Sequence, residues 1–520
     1  MNCHQTAEGG ACRIQLIFCH TCGLSKVIQN DMLDCILFVI RQNIKNEIQQ
    51  SDFCSIIADE TTDISSQFQM SIVFRYILSD GTPVERFWGF FIPSGHDAKS
   101  LSDCIKDNLK EVSENTDKLI SQSYDGAAVM GGRFSGVQKL ISDEYKYAHF
   151  VHCYAHQLKK NLILSKATTQ NRDVRIFFSN LTDITNFFSN SPQKVAILDK
   201  IVNHRIPRSS NTRWNFKSRI INIVYENHES IIECFEEIEN TFNQNIAINQ
   251  AGALRRLLND NTFIFWLNVF HRLMPHVDIL YNQLQKRTID PIQVNNAINK
   301  FKENIQNERN NFSNEVPDDA LTSKRKKSND TNVSRNAASK EICDVFISSV
   351  QDRFEYKDHL FASYLFISPN FPSYKKHIPQ QYFDKTIESY PVFDNNKLET
   401  ELKLIYKRTD FRDVSGAVNL LKFIIDNNLQ SVFSESYKLI LIIATIPMTS
   451  AEAERSFSTL KRIKTFLRNT MVEERLNALA MLSIEKSMIN EMSNFNEEVI
   501  KVFKQKKDRR IDLVFKNVTD

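Results

Sequence analysis

Glycine and proline are scarce, 12 of each in 520 residues, and this shortage excludes collagen-like, low-complexity and turn-rich all-β chains. A dominant charge is missing too. The 65 Lys and Arg against 62 Asp and Glu leave a net +3, so any contact with nucleic acid has to come from local basic patches rather than from an overall field. No apolar run is long enough for a bilayer: the longest, Leu439 to Met448, is broken by Thr445 and Pro447. The start, Met1-Asn2-Cys3-His4, lacks the basic region of a signal peptide. The sequence therefore reads as an intracellular chain with no membrane partner. Its ten cysteines are spread too thinly for a disulfide framework, and Cys54, Cys104 and Cys234 sit among apolar neighbours, so reduced thiols are expected. What is abundant is core material. A hydrophobic fraction of 42%, rich in Ile, Leu and Phe beside Asn and Lys, suits two to four domains built largely of long helices.

Residues 1–50 hold Cys3, Cys12, Cys19 and Cys22, then an amphipathic helix from Met32 to Ile48 with Ile36, Ile40, Ile44 and Ile48 on one face. The run FCSIIA, Phe53 to Ala58, reads as a strand that stops at Asp59-Glu60-Thr61-Thr62-Asp63. Phe68 to Leu78 and Val84 to Ile92, joined by an Asp80-Gly81 turn, read as an antiparallel hairpin. There follow a helix from Ala98 to Glu111, a strand from Lys118 to Tyr124 ending at Asp125-Gly126, a helix from Gly136 to Ser142, the short strand HFVHC, and a helix from Ala155 to Ser165. The order β-β-β-α-β-α-β-α matches a ribonuclease-H-like α/β core over residues 51–170, with Asp59 and Asp125 at the ends of adjacent strands.

From 171 to 435 the pattern turns helical, with strong periodicity at Ile220 to Phe242 and Phe263 to Leu284. A polar stretch, 314–339, reads as a flexible loop carrying Lys324-Arg325-Lys326-Lys327; this tetrad suits a nuclear-import signal, a phosphate contact or a solvated loop. Residues 436–490 form an organised block. An apolar helix, Ser436 to Ile446, breaks at Pro447; Thr449 and Glu452 then have capping-box spacing, and a helix follows with Ala453, Phe457, Leu460, Ile463 and Leu467 as its buried stripe. Arg455, Arg462 and Lys464 are left in polar surroundings, with Glu454 at the stripe's edge, where an acid also favours the helix dipole. A helix from Val472 to Ser483 and a basic tail, 491–520, complete the chain.

Two acids at neighbouring strand tips are what two-metal phosphoryl transfer requires, because divalent ions take hard oxygen ligands. Asp at a strand end is also ordinary turn chemistry. The residues His149, His152, Cys153 and His156 have zinc-like spacing, yet a strand-to-helix junction scatters their directions. Trp214 beside Arg213 offers an indole face next to a guanidinium, suited to a base and a phosphate, although tryptophan is also a common packed aromatic.

Taken together and in this order, IIADETTD, QSYDGAAVMGG, VHCYAHQL, NTRW and SAEAERSFSTLKRIKTFLRNTM resemble the hAT superfamily of DNA transposases and the proteins derived from them, especially the zinc-finger MYM-type-like branch. The resemblance covers roughly residues 30 to 490. It implies an acidic triad of Asp59, Asp125 and Glu454 that binds Mg²⁺ or Mn²⁺, a large all-helical insertion between the last two acids, and a helical C-terminal region for self-association. It also implies DNA contact through Arg213 and Trp214, and active-site support from Cys153 and His156. Two departures stand out. Val129, Met130 and Gly131 replace the Asn and Met-Ser that many members carry after the second aspartate. About thirty residues precede the matching region, where active members carry a zinc finger; Cys19-x-x-Cys22 is a lone pair, so an N-terminally truncated start is expected.

These features point to a nuclear, metal-dependent hAT-like transposase that cleaves DNA and transfers strands, or a close derivative. The alternative is a domesticated or decayed, non-catalytic dimerising protein that binds DNA or chromatin partners. A ribonuclease-H-like nuclease unrelated to transposition shares the metal site but leaves the Arg-Trp and C-terminal motifs unexplained.

Overall fold

The structure, a computed structural model, describes residues 25–159, 162–189, 191–202, 214–314, 328–351, 354 and 358–506. The cysteines at 3, 12, 19 and 22, Arg213, the basic tetrad 324–327 and the last stretch, 507–520, lie outside them.

Helix α1, Lys26–Gln50, leads into strand β1, Cys54–Thr62, and the hairpin of β2, Phe68–Ile77, and β3, Pro83–Phe91. The hairpin turn needs its glycine: Gly81 has φ +79°, a region that side chains disfavour, and Asp80 accepts hydrogen bonds from Thr82 N and Oγ1, both at 2.9 Å. Helix α2, Ala98–Val112, precedes β4, Leu119–Tyr124, and β5, His149–His152. The five strands form one mixed sheet in the order β3-β2-β1-β4-β5. β1 pairs antiparallel with β2, β2 antiparallel with β3, and β1–β4 and β4–β5 are parallel. Each predicted strand is present, and β1 is longer than expected. It runs on through Asp59, which pairs with Ser71, and Glu60, which pairs with Met70, because the β2 backbone keeps supplying partners after the β4 pairing has ended at Ile57 and Ser123.

The alternation of β2 separates the two faces. Tyr76 hydrogen-bonds Glu47 of α1 at 2.6 Å, and Trp88 of β3, its face under the Arg41 guanidinium, donates to Asn108 of α2 at 2.9 Å. On the opposite face Ser71 meets Ser456 at 2.8 Å and Arg75 donates to Ala444 O at 3.0 Å. Those partners belong to α3, Ser434–Thr445, and α4, Ala451–Ile463. The sheet is thus the middle of three layers. Helix α5, Glu473–Ile484, lies along the free side of β3. There Asn477 accepts from Phe90 N at 2.7 Å and donates to Phe90 O at 2.9 Å, and Glu485 accepts from Phe87 N at 2.7 Å.

Between β5 and α3 the described chain is helical, apart from turns. Its main core gathers Phe177, Phe235, Trp266, Phe270 and Phe346, whereas α1, the sheet and α5 share a second core. The expected helix over 155–165 is found as Tyr154–Lys159 and Leu162–Gln170.

Several expectations need correction. The second half of the supposed polar loop belongs to a helix, Ser328–Gln351, carried by the buried Ile342, Cys343, Phe346 and Val350 downstream. The supposed basic tail is helical over Phe495–Lys506, with Phe495, Val499 and Phe503 buried against the α1 core. Only half of the capping box forms: Thr449 Oγ1 accepts from Ala451 N at 3.1 Å, but Glu452 is held by Arg287 instead of reaching back to the helix start. Leu467 is exposed rather than part of the stripe, and Lys464 is buried on Asp63. No helix among the described residues is long and apolar enough to cross a membrane.

Candidate functional site

In an open sheet with parallel strands, ligands gather at the carboxyl ends of the strands, beside the point where the strand order reverses. Here that point lies between β1 and β4, and it is where the sequence places its acids. Asp59 shares a face with its cross-strand partner Ser71, and Ser71 touches Ser456 of α4. Phe457 stacks with Phe90 at 6.3 Å, which sets α4 over the same row. Glu454 is one turn before Phe457, so α4 carries it on the side that meets the sheet. Asp125 follows Tyr124, the last residue of β4.

A cysteine joins these elements. Cys153 N donates to Tyr124 O at 3.2 Å, directly before Asp125. Its Sγ accepts from Ser450 N at 3.0 Å and lies 3.8 Å from Thr449 Oγ1, while Tyr154 N donates to Met448 O at 3.0 Å. Glu454 N in turn donates to Ser450 O at 3.2 Å. One buried side chain therefore fixes the start of the Glu454 helix against the end of the Asp125 strand.

The other residues of the zinc-like quartet diverge. The His149 ring stacks on His359 at 4.7 Å and reaches Ser389 O at 3.1 Å. His152 lies against Gly126, where a methyl group would sit 2.3 Å from its Cε1. Gly126 is needed because the imidazole occupies the space a side chain would take. His156 belongs to the helix Tyr154–Lys159 and Trp214 opens the helix Trp214–Glu226; both side chains are outside the described ones.

Electrostatics bring in residues that the sequence did not single out. Burial raises the Glu60 carboxyl above its ordinary range, the negative charge of Asp125 raises it further, and His96 partly offsets both. Burial pushes the Tyr281 hydroxyl up to about 12, helped by the nearby Glu454 carboxylate. Tyr281, from the helix Asn261–Leu284, thus comes near Glu454, and Glu60 comes near Asp125. Its position next to Asp59 made Glu60 discoverable; Tyr281, within one long helix, carried no local signal. Arg287 was missed for the same reason, although its Nε bonds Glu452 at 2.6 Å and its second arm also meets that carboxylate.

Among the described residues, no group of three or more His, Cys, Asp and Glu is arranged to hold a metal ion. The cysteines described are all free thiols.

The same two ends of the chain answer to two families. Residues 19–136 match the ZMYM1/FAM200, RNase-like domain, and residues 401–488 match the hAT family C-terminal dimerisation region. The two matches together support a hAT-derived protein. Its curated relatives include the 52 kDa repressor of the inhibitor of the protein kinase from Homo sapiens, 22% identical over 96% of this chain and 70% of that protein. The Mus musculus protein of the same name is likewise 22% identical, over 96% and 70%. The hAT-derived frame is therefore split across the sequence, its RNase-like part at one end and its dimerisation region at the other, and Cys153, Ser71 and Arg75 bring the two together.

Proposed function

We propose that this chain is a self-associating, non-catalytic DNA- or chromatin-binding protein derived from a hAT transposase, acting in the nucleus. The observation that carries this reading is the pairing of an RNase-like match with a dimerisation-region match in a chain whose human and mouse relatives are named as a repressor. A repressor role, the one named for the human and mouse relatives, suits a protein that keeps binding and pairing without cleavage. In this reading the core is ribonuclease-H-like, the segment 171–435 is a helical insertion into it, and Arg213 with Trp214 contacts DNA.

A second reading keeps the catalysis. Asp59 on β1, Asp125 just past the neighbouring β4 and Glu454 on the helix above them would supply the oxygen donors that Mg²⁺ or Mn²⁺ takes, and nicking would require the three to close onto an ion. The two readings separate on supercoiled plasmid with Mn²⁺. The non-catalytic protein binds duplex DNA in an anisotropy assay, sediments as a dimer and leaves the plasmid supercoiled. Nicking by the natural chain that disappears in both Asp59→Asn and Glu454→Gln would overturn it in favour of the enzyme.

A further inference from the structure

Two exposed tips rise from the edge that carries Asp59 and Asp125. The first follows β4 and is built on glycine. Gly132 N donates to Ala128 O at 3.0 Å and Gly136 N to Gly132 O at 3.1 Å. A methyl group on Gly132 would lie 2.6 Å from Ala128 O, and one on Gly136 2.5 Å from Gly132 N. Gln138 holds the Gly131 carbonyl at 2.5 Å. The backbone is therefore tightly closed, and it holds Phe134 out at 94% exposure beside the exposed Arg133.

The second tip follows α4. Lys464 is anchored by its ammonium, 2.6 Å from Asp63 with both side chains almost wholly buried, and Asp63 is one residue beyond β1. Two residues past this anchor, a short turn held by Arg468 N to Thr465 O at 2.8 Å presents Phe466 at 80% and Leu467 at 91% exposure. Lys461, Arg462 and Arg468 around it are exposed. Because β1 and β4 are neighbours, both tips stand at the same end of the sheet.

A hydrophobic partner surface calls for contiguous apolar area. Here each apolar tip is only one or two side chains, accompanied by cations. That combination fits a polyanion with uncovered aromatic faces, since a ring stacks on a base while a guanidinium meets the phosphate. A duplex hides its base faces; an unpaired strand offers them.

We propose that Phe134 and Phe466 are stacking posts for single-stranded DNA, with Arg133 and Arg468 on its phosphates. The inference rests on the DNA-binding reading above and assigns the strand a track across the carboxyl edge of the sheet. The full chain is titrated against a labelled oligo-dT 20-mer and a 20-base-pair duplex by fluorescence anisotropy. A Phe134→Ala/Phe466→Ala variant is expected to bind the single strand about tenfold or more weakly while its duplex affinity changes less than twofold. An Arg133→Gln/Arg468→Gln variant lowers the salt dependence of single-strand binding by about 0.7 for each phosphate left without its cation. Because all four side chains are exposed, the melting temperature serves as the control and stays unchanged. Unaltered single-strand binding by the phenylalanine variant, with duplex binding intact, overturns the inference alone. So does a shift of that variant from dimer to monomer with DNA binding retained, which assigns the tips to a second copy. Failure of the natural chain to bind either DNA removes the DNA-binding reading and this inference together.

Discussion

Asp63 and Lys464 are 401 positions apart and meet at 2.6 Å, with side chains 1% and 2% exposed. Burial by itself would raise the carboxyl, but hydrogen bonds from Lys464, Ser65 and Gln67 outweigh it and bring Asp63 down to about 2 from an ordinary 3.8. A group whose value falls on folding adds stability above its unfolded value and loses it as acid protonates the folded form. This contribution is therefore complete above about pH 4 and fades as the pH falls towards 2. An Asp63→Asn variant should show a shallower fall in melting temperature across that window than the natural chain, with both followed by circular dichroism. A variant with the same slope would remove Asp63 from the acid response. Neither partner was legible as half of a pair. Asp63 looked like one more acid in a turn, and Lys464 lay on what the 3.6-residue period assigned to the polar side of α4. The pairing is set by where α4 ends against β1, a distance no local pattern encodes.

Helix α5 acts on β3 as a neighbouring strand would. Asn477 both accepts from and donates to the backbone of Phe90, and Glu485 takes the amide of Phe87. The Glu485 carboxyl is raised by its burial, an effect the Phe87 amide and Arg86 oppose. Replacing Asn477 by Leu leaves a buried amide and carbonyl without partners, at a cost of about 1–3 kcal/mol each. The expected outcome is a lower urea midpoint and light scattering on mild heating, because an uncovered edge recruits other strands. An unchanged midpoint would show that water or a shifted side chain replaces the amide. The strands themselves were readable, since β-branched and aromatic runs between turn residues fall into a two-residue period, and the Asp80-Gly81 hairpin was plain. Their outer partners were not. The capping box stops at half for a related reason: Thr449 and Glu452 have the right spacing, but Arg287, distant in sequence, bonds that carboxylate at 2.6 Å and tertiary charge prevails over the local motif.

At the scale of the whole molecule, Arg75 ties the sheet to the helical part of the chain that follows it. Its guanidinium, 1% exposed, pairs with Glu85 at 2.8 Å and donates to Arg287 O at 2.5 Å, to Ile289 O at 3.4 Å and to Ala444 O at 3.0 Å. Removing one member of a buried pair costs about 3–5 kcal/mol, because the other charge is left stranded. Burial already raises Glu85, and Arg75 is the main influence holding it down. Arg75→Met should therefore lower the unfolding midpoint sharply by tryptophan fluorescence, and Glu85→Leu added to it should restore part of the stability. A double variant no more stable than the single one would place the cost in the three carbonyls that Arg75 no longer serves. The sheet and its strand order were legible in outline from the order of the strand and turn signals. What the order could not show was the closure: Cys153 reads as a motif letter in the sequence, but its sulfur is a hinge pin between segments 297 positions apart. The sealing of β3 by α5 has a last consequence for assembly. A second copy arriving at that margin finds no open backbone to zip onto, so a pair joined there has to meet through helical surfaces. Its strength would then follow side-chain fit and salt rather than a shared sheet, and such a pair could part and re-form without either copy unravelling.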